Sequence, residues 1–446
     1  MTNTGDSSHH VQVQEAVFIT PSDPTPSHVL NLSAIDSQLF LRFTIEYLLI
    51  YHPPRHRRAG YRSAITALVK DALARALVPY YPLAGRVRTR SDGSCLEVVC
   101  RGQGAVFVES TGEFTISDFE KAPRYVTEWR KLLALEVTDV LEGAPPLVVQ
   151  LTWLADDSAA LAVGFSHCIC DGIGSVEFLN HFARLANCHR YGAAEEFKPK
   201  PIWERHLLDP TPYRLKTIHH PEFIPVHDHC KFLTRFNQDQ LTPTSTTFHD
   251  WRINELKTLA ASTSQLSKPS LTSFEVVSAH IWRSWARALS FPPRQTLKLL
   301  FSINIRNRVK PSLPSEYYGN AIVLGCAQTT AKELTESGLG YATELIREAK
   351  NRVDDGFVRE VVESVSLTRG KQVPDSVGVL ILSQWSKVGL ESVDFGLGRP
   401  VQVSPVCTDK YCILLPIPDQ SRSVKSMVAL PSISVGKYEH LIRAVE

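Results

Sequence analysis

At 446 residues the chain is too long for one ordinary hydrophobic core, and length alone points to about two or three domains. Its 43% hydrophobic and 21% charged residues are the composition of a folded globular protein. A formal net charge of +2 excludes the broad basic field of a nucleic-acid binder, so an anionic ligand would need a local cluster of cations.

The first residues, MTNTGDSSHHVQVQ, lack the basic and apolar regions of a signal peptide. No apolar run reaches the roughly 18 residues of a membrane span. Nine cysteines, scattered without zinc spacing, fit a reducing compartment, and the expectation is cytoplasmic with no membrane partner. Residues 61–79, YRSAITALVKDALARALVP, carry apolar side chains at helical spacing, and Pro82 and Gly85 in YYPLAGR end that element. SCLEVVC and AVFVES read as short strands. PLVVQLTWLADDSAALAVGFSHC reads as a hairpin of two buried strands around an Ala-Asp-Asp-Ser turn. The helix that follows places Val176, Leu179, Phe182 and Leu185 on one face, with Ser175 expected as its N-cap.

Residues 191–230 change character. Prolines at 199, 201, 210, 212, 221 and 225 forbid a regular element, while Ile202, Trp203, Leu207 and Leu208 can pack, so the stretch reads as a crossover between two halves. Beyond it, residues 270–289, 331–352 and 434–445 read as helices. TLKLLFSINI, NAIVLGC, VGVLILS, VQVSPV, CILLPI and VKSMVALP read as strands. The expected domains are 1–190 and 231–446.

GFSHCICDGIGS, residues 164–175, sets His167 at a strand end and Asp171 in a glycine turn before a helix. Spacing alone leaves three readings: a general base with its support, half of a metal site, or a chance pairing. Zinc needs three or four converging ligands. The other histidines, His219, His220, His227 and His229, lie in the proline-rich crossover, so no metal is expected. The glycines leave room for a ligand, and a neutral histidine held by a backbone hydrogen bond suits general-base work near pH 7. Cys168 and Cys170 flank the motif as small packed residues.

HCICDG, residues 167–172, resembles the His-x-x-x-Asp-Gly motif of the plant BAHD acyltransferases, and VDFGLGRP, residues 393–400, resembles their second signature, Asp-Phe-Gly-Trp-Gly-x-Pro. Supporting blocks follow in order: PSDPTPSHVLNLSAID, YYPLAGRV, TSFEVVSAHIWRSWAR, FSINIRNRVKPSLPSEYYGNAI and LSQWSKVGLESVDFG. The chain departs from the pattern at Leu397, where the family usually has tryptophan.

The resemblance implies an α/β fold of two chloramphenicol-acetyltransferase-like domains, with mixed sheets flanked by helices and a channel at their interface. It implies a monomer that transfers an acyl group from acyl-CoA, a co-substrate and not a bound cofactor, to a small-molecule alcohol of specialised metabolism. His167 is then the general base. Asp171 pairs with Arg306 instead of relaying charge. Trp385 donates to the oxyanion, and Ser383 orients the acceptor. Ser273 and Arg308 meet the CoA phosphates, and Asp394 and Gly396 support that site through their loop. The same motif serves an N-acyltransferase on an amine, and a non-catalytic partner protein is a further alternative. A peptide-synthetase condensation domain shares the fold but has a second histidine where Ser166 stands.

Overall fold

The computed structural model describes residues 10–53, 59–135, 137, 140–141, 143–187, 200–210, 220–229, 240–263, 270–368, 377–407 and 411–444. In the first half the elements are β1 (Val11–Ile19), β2 (His28–Asn31), β3 (Thr44–Tyr51), α1 (Tyr61–Ala76), β4 (Arg86–Thr89), β5 (Leu96–Cys100), β6 (Ala105–Gly112), β7 (Leu147–Trp153), β8 (Ala159–Ser166) and α2 (Gly172–Ala186). The second half opens with β9 (Leu241–Phe248), α3 (Asp250–Ser262), α4 (Ser273–Leu289), β10 (Thr296–Asn304) and β11 (Ile322–Thr330). It continues with α5 (Ala331–Glu336), α6 (Leu339–Asn351), α7 (Asp355–Leu367) and β12 (Val379–Gln384), then β13 (Gln402–Pro405), β14 (Cys412–Pro416), β15 (Val424–Pro431) and α8 (Ser432–Arg443).

Two mixed six-stranded sheets organise these elements, one in the order β1-β6-β7-β8-β3-β13 and the other β11-β10-β12-β14-β15-β9. A small sheet, β2-β5-β4, sits apart. Both large sheets combine parallel pairs (β6 with β7, β10 with β12, β12 with β14) with antiparallel ones. Helices flank the sheets, giving the α/β architecture that the resemblance implies. Because β7 and β8 are buried at every position, they read as unbroken apolar runs instead of alternating ones.

α1 and α2 pack together beside the first sheet, and α4 lies among α3, α6 and α8 beside the second. The start of α4 is a capping box, in which the Thr272 side chain accepts from the Glu275 amide while Glu275 reaches back to the Thr272 amide. β13 leaves the second half of the chain to pair with β3, Gln402 opposite Ile50 through Pro405 opposite Tyr47. Ile202 forms a parallel bridge with Tyr317, its amide donates to Glu316 O at 2.8 Å, and its carbonyl accepts from the Tyr318 amide at 2.9 Å. Leu208 enters the second core and Trp203 packs on the first, whereas Leu207 is exposed.

The structure corrects two sequence-based expectations. α2 starts at Gly172 with Asp171 as its N-cap, and Ser175 instead hydrogen-bonds Gly172 O at 3.0 Å and the Tyr47 hydroxyl at 2.6 Å. The helix expected over 331–352 is two helices, α5 and α6. It breaks at Gly338, where a Cβ would come within 2.7 Å of the Thr263 side chain, whose hydroxyl accepts from the Gly340 amide. No helix among the described residues is long and apolar enough to cross a membrane.

Candidate active site

β8 delivers His167 to the edge of its turn. Pairing with β3 continues one step past the strand, with the His167 amide donating to Phe43 O at 2.9 Å, and this fixes where the side chain leaves the backbone. The imidazole is 9% exposed and meets the Phe43 ring edge-on, the centroids 5.1 Å apart. Its Nδ1 is fully buried, and the histidine's own backbone and the Asn320 side chain both act on the ring. Burial pushes the imidazole below its ordinary pKa, offset in part by the histidine's own backbone, the Asn320 side chain and the carboxylates of Asp171 and Asp36. The ring is therefore neutral near pH 7, the form a base requires.

Asp171 turns away from the ring. Its Oδ1 accepts from the amides of Ile173 at 3.1 Å and Gly174 at 3.0 Å, capping α2, and from Arg306 Nη2 at 3.2 Å. Its Oδ2 accepts from Arg306 Nη1 at 2.8 Å and from the Ala321 amide at 3.0 Å. Burial alone would raise this carboxyl, but the charge and hydrogen bonds of Arg306, with the Gly174 and Ala321 amides, hold it below the usual carboxylate range. Gly174 permits the turn, since a Cβ there would stand 3.1 Å from Cys170 Cβ and 3.4 Å from the Tyr318 ring. Cys168 and Cys170 are buried free thiols, each pushed up to about 12 by burial first of all, so neither is a thiolate at neutral pH.

Strand alternation separates the residues of LSQWS. Gln384 and Ser386 line a cavity of about 800 Å³, so Ser383 and Trp385 face the other way, and Trp385 packs against Tyr47 of β3, the rings tilted by 53° with centroids 4.7 Å apart. That cavity also takes in Ser273 at the start of α4 and Arg308, together with Lys257, Lys350, Lys387 and Arg422. The Nη1 of Arg308 is committed to the end of α6, donating to Lys350 O at 2.9 Å and Val353 O at 2.6 Å. Lys350 pairs with Glu275 at 2.5 Å.

Asp394 and Gly396 lie elsewhere and are not among the residues lining this cavity. The Asp394 carboxylate accepts from the amides of Gly396 at 2.8 Å and Gly398 at 2.9 Å, and both glycines have positive φ (87° and 88°). Phe395 seats the loop edge-on against Phe182 of α2, and half-buried Leu397 packs on the first core. The loop therefore fastens the chain entering β13 to the first sheet. A smaller cavity of about 360 Å³, lined by Glu204, Leu208, Leu313 and Val358 among others, contains no sequence-predicted site residue.

His219 lies outside the described residues. His220 pairs with Glu222 at 3.1 Å, while His227 and His229 stack on each other at 4.5 Å. Among the described residues no three metal-ligating side chains converge. Sequence reasoning missed Asp36, Arg205 and Asn320, which meet beneath the His167 turn. Asp36 and Asn320 stand inside two of the quoted blocks, and that was their only signal.

A family model described as the Transferase family matches residues 9–444. Omega-hydroxypalmitate O-feruloyl transferase from Arabidopsis thaliana is 29% identical, the match covering 96% of this chain and 92% of that protein. 3'-N-debenzoyl-2'-deoxytaxol N-benzoyltransferase from Taxus canadensis is likewise 29% identical, over 100% of this chain and 98% of its own. The fold matches that of F. sporotrichioides TRI101 complexed with coenzyme A and T-2, with TM-score 0.74 and 18% identity over 93% of this chain and 97% of that one.

Proposed function

From its membership of the Transferase family, as an acyl-CoA-dependent BAHD acyltransferase, we propose that this chain forms esters, joining the acyl group of a CoA thioester to a neutral alcohol. The observation that carries the reading is the state of the carboxylates around His167. Asp171 is bound to Arg306, and Asp36 to Arg205 and Asn320. Neither is left to hold a cationic amine beside the base, and the apolar ring of Phe43 forms one wall.

In the proposed sequence, His167 Nε2 takes the hydroxyl proton as the alcohol oxygen attacks the thioester carbonyl carbon. The carbonyl electron pair moves onto oxygen, and the indole N–H of Trp385 steadies that oxyanion while Ser383 orients the acceptor. Collapse of the tetrahedral species breaks the C–S bond. The imidazolium returns its proton to the CoA sulfur, so ester and free thiol leave a neutral histidine. General-base assistance of this kind contributes roughly 10²–10⁴ in rate.

The 800 Å³ cavity, with Ser273 at a helix N-terminus and Lys257, Lys387 and Arg422 on its wall, suits the phosphates of CoA. The bonds Arg308 makes to the carbonyls of Lys350 and Val353 leave it as a wall residue with one nitrogen already engaged. The test is a panel of acetyl-, benzoyl- and feruloyl-CoA with aliphatic and aromatic alcohols and with matched primary amines, reading thiol release and product mass. Ester as the main product supports the reading. Amide formed faster than every ester overturns it in favour of N-acylation.

A further inference from the structure

The turn bearing His167 is gripped from below by a second buried ion pair, and we propose that Asp36 and Arg205, joined by Asn320, are positioning residues that set the orientation of the catalytic imidazole. This inference rests on His167 being the base. The three residues come from distant parts of the chain: the loop after β2, the crossover, and the loop before β11. Asp36 is fully buried and Arg205 is 3% exposed.

The Asp36 carboxylate is saturated. Ser33 donates to Oδ2 through its amide at 3.0 Å and its hydroxyl at 2.7 Å, and Asn320 donates to Oδ1 through its amide at 2.9 Å and its side chain at 2.8 Å. Arg205 Nη1 completes the set at 3.4 Å. From this anchor two further hydrogen bonds reach the turn. Asn320 Nδ2 donates to the carbonyl of His167 itself at 2.6 Å, and Arg205 Nη2 donates to the carbonyl of Ile169 at 2.8 Å. With the His167 amide already on Phe43, the peptide on each side of the histidine is pinned. Asp171 and Arg306 hold the far end of the same turn.

Gly319 makes the arrangement possible. A Cβ at this position would lie 1.5 Å from Arg205 Nη1, so the backbone has been kept bare where the guanidinium passes. The crossover is docked for the same purpose, since Ile202 bonded beside Glu316 and Tyr318 brings Arg205 under the turn. Asp36 also favours the charged form of the His167 imidazole. The same contacts therefore fix geometry and favour the charged intermediate.

The experiment uses full-length enzyme carrying [13Cε1]histidine, with the His167 resonance assigned by its loss in His167→Ala. kcat and KM are measured with the best donor and acceptor of the panel above, alongside melting temperatures. Asp36→Asn should lower kcat by about tenfold to a hundredfold, the scale of a displacement near 1 Å, with little change in either KM. It should also move the His167 titration, and with it the acidic limb of kcat/KM, to lower pH, because a nearby negative charge is gone. Arg205→Lys keeps the charge but loses the fork, so kcat should fall while the titration stays in place. Gly319→Ala should fall similarly, and adding Arg205→Lys to it should cost less than the two separately, because the clash and the fork are one interaction.

Should Asp36→Asn fail to fold, Arg205→Lys and Gly319→Ala read the same contact. Variants that melt lower yet keep kcat within twofold, an unmoved His167 titration in Asp36→Asn, or additive costs for the Gly319 and Arg205 pair would overturn the proposal and leave a purely structural clamp. Undiminished activity in His167→Ala would instead overturn the base assignment, a separate outcome.

Discussion

Asp171→Ala deletes five acceptor contacts in one step, and the structure shows what each was doing. Two belonged to Arg306, which is 6% exposed and keeps only weaker bonds to Tyr317 O at 3.4 Å, Gly319 O at 3.3 Å and Asn304 Oδ1 at 3.4 Å. A buried cation stripped of its partner costs about 3–5 kcal/mol. Two more contacts capped α2 through Ile173 and Gly174, and losing them adds about 1 kcal/mol. The expected cost is therefore about 4–6 kcal/mol, a large share of the roughly 5–15 kcal/mol that holds a domain folded. Asp171→Asn retains the capping oxygen and should be milder by about the value of the cap.

Arg306→Met leaves the carboxylate with three backbone amides. The double variant Asp171→Asn with Arg306→Met removes both charges, so its cost should fall short of the sum of the single variants by about 0.5–3 kcal/mol. Urea unfolding followed by tryptophan fluorescence and circular dichroism reads these costs. Acid adds a second signature. The folded pKa of Asp171 lies below its unfolded value, so the pair's contribution is complete above about pH 4 and disappears as pH falls through the depressed value. Asp171→Asn should flatten that acid limb. Additive costs, or an Asp171→Ala protein of unchanged stability whose activity is gone, would refute the structural assignment and give the carboxylate a direct part in the chemistry.

His167→Ala should lower kcat by at least about a hundredfold with acyl-CoA affinity little changed, since a base acts in the transition state. Because burial depresses the imidazole pKa, wild-type kcat/KM should hold its plateau below the ordinary histidine value of about 6.5 before the acidic limb begins. Trp385→Phe keeps the ring on Tyr47 and removes only the N–H, and a main oxyanion donor lost this way costs about 10²–10³ in kcat. Near-wild-type turnover would return Trp385 to a packing role. Incubation with acyl-CoA alone should leave the intact mass unchanged, because the flanking thiols of Cys168 and Cys170 are held protonated by burial, whereas an adduct on either would replace direct transfer with a covalent intermediate.

Local chemistry made much of this protein legible from its residues. The α1 and α4 periodicities, the β7–β8 hairpin and the strand-turn-helix around His167 depend on neighbours in the chain, and both motif blocks are contiguous. Residues whose meaning is long-range were not legible in this way. β1, β3 and β9 went unread, as did α3 and α7, and the strand partners of β3 lie more than a hundred residues away in β8 and beyond the crossover in β13. Ser175 and Asp171 are both N-cap residue types, and Asp171 takes the place through the Ile173 and Gly174 amides while Arg306 and Ala321 hold the same carboxylate from outside the helix. No periodicity marks Asp36, Arg205 or Asn320. A buried charge is tolerated only where partners converge on it, and those partners meet only when the two sheets and the crossover have closed around the turn.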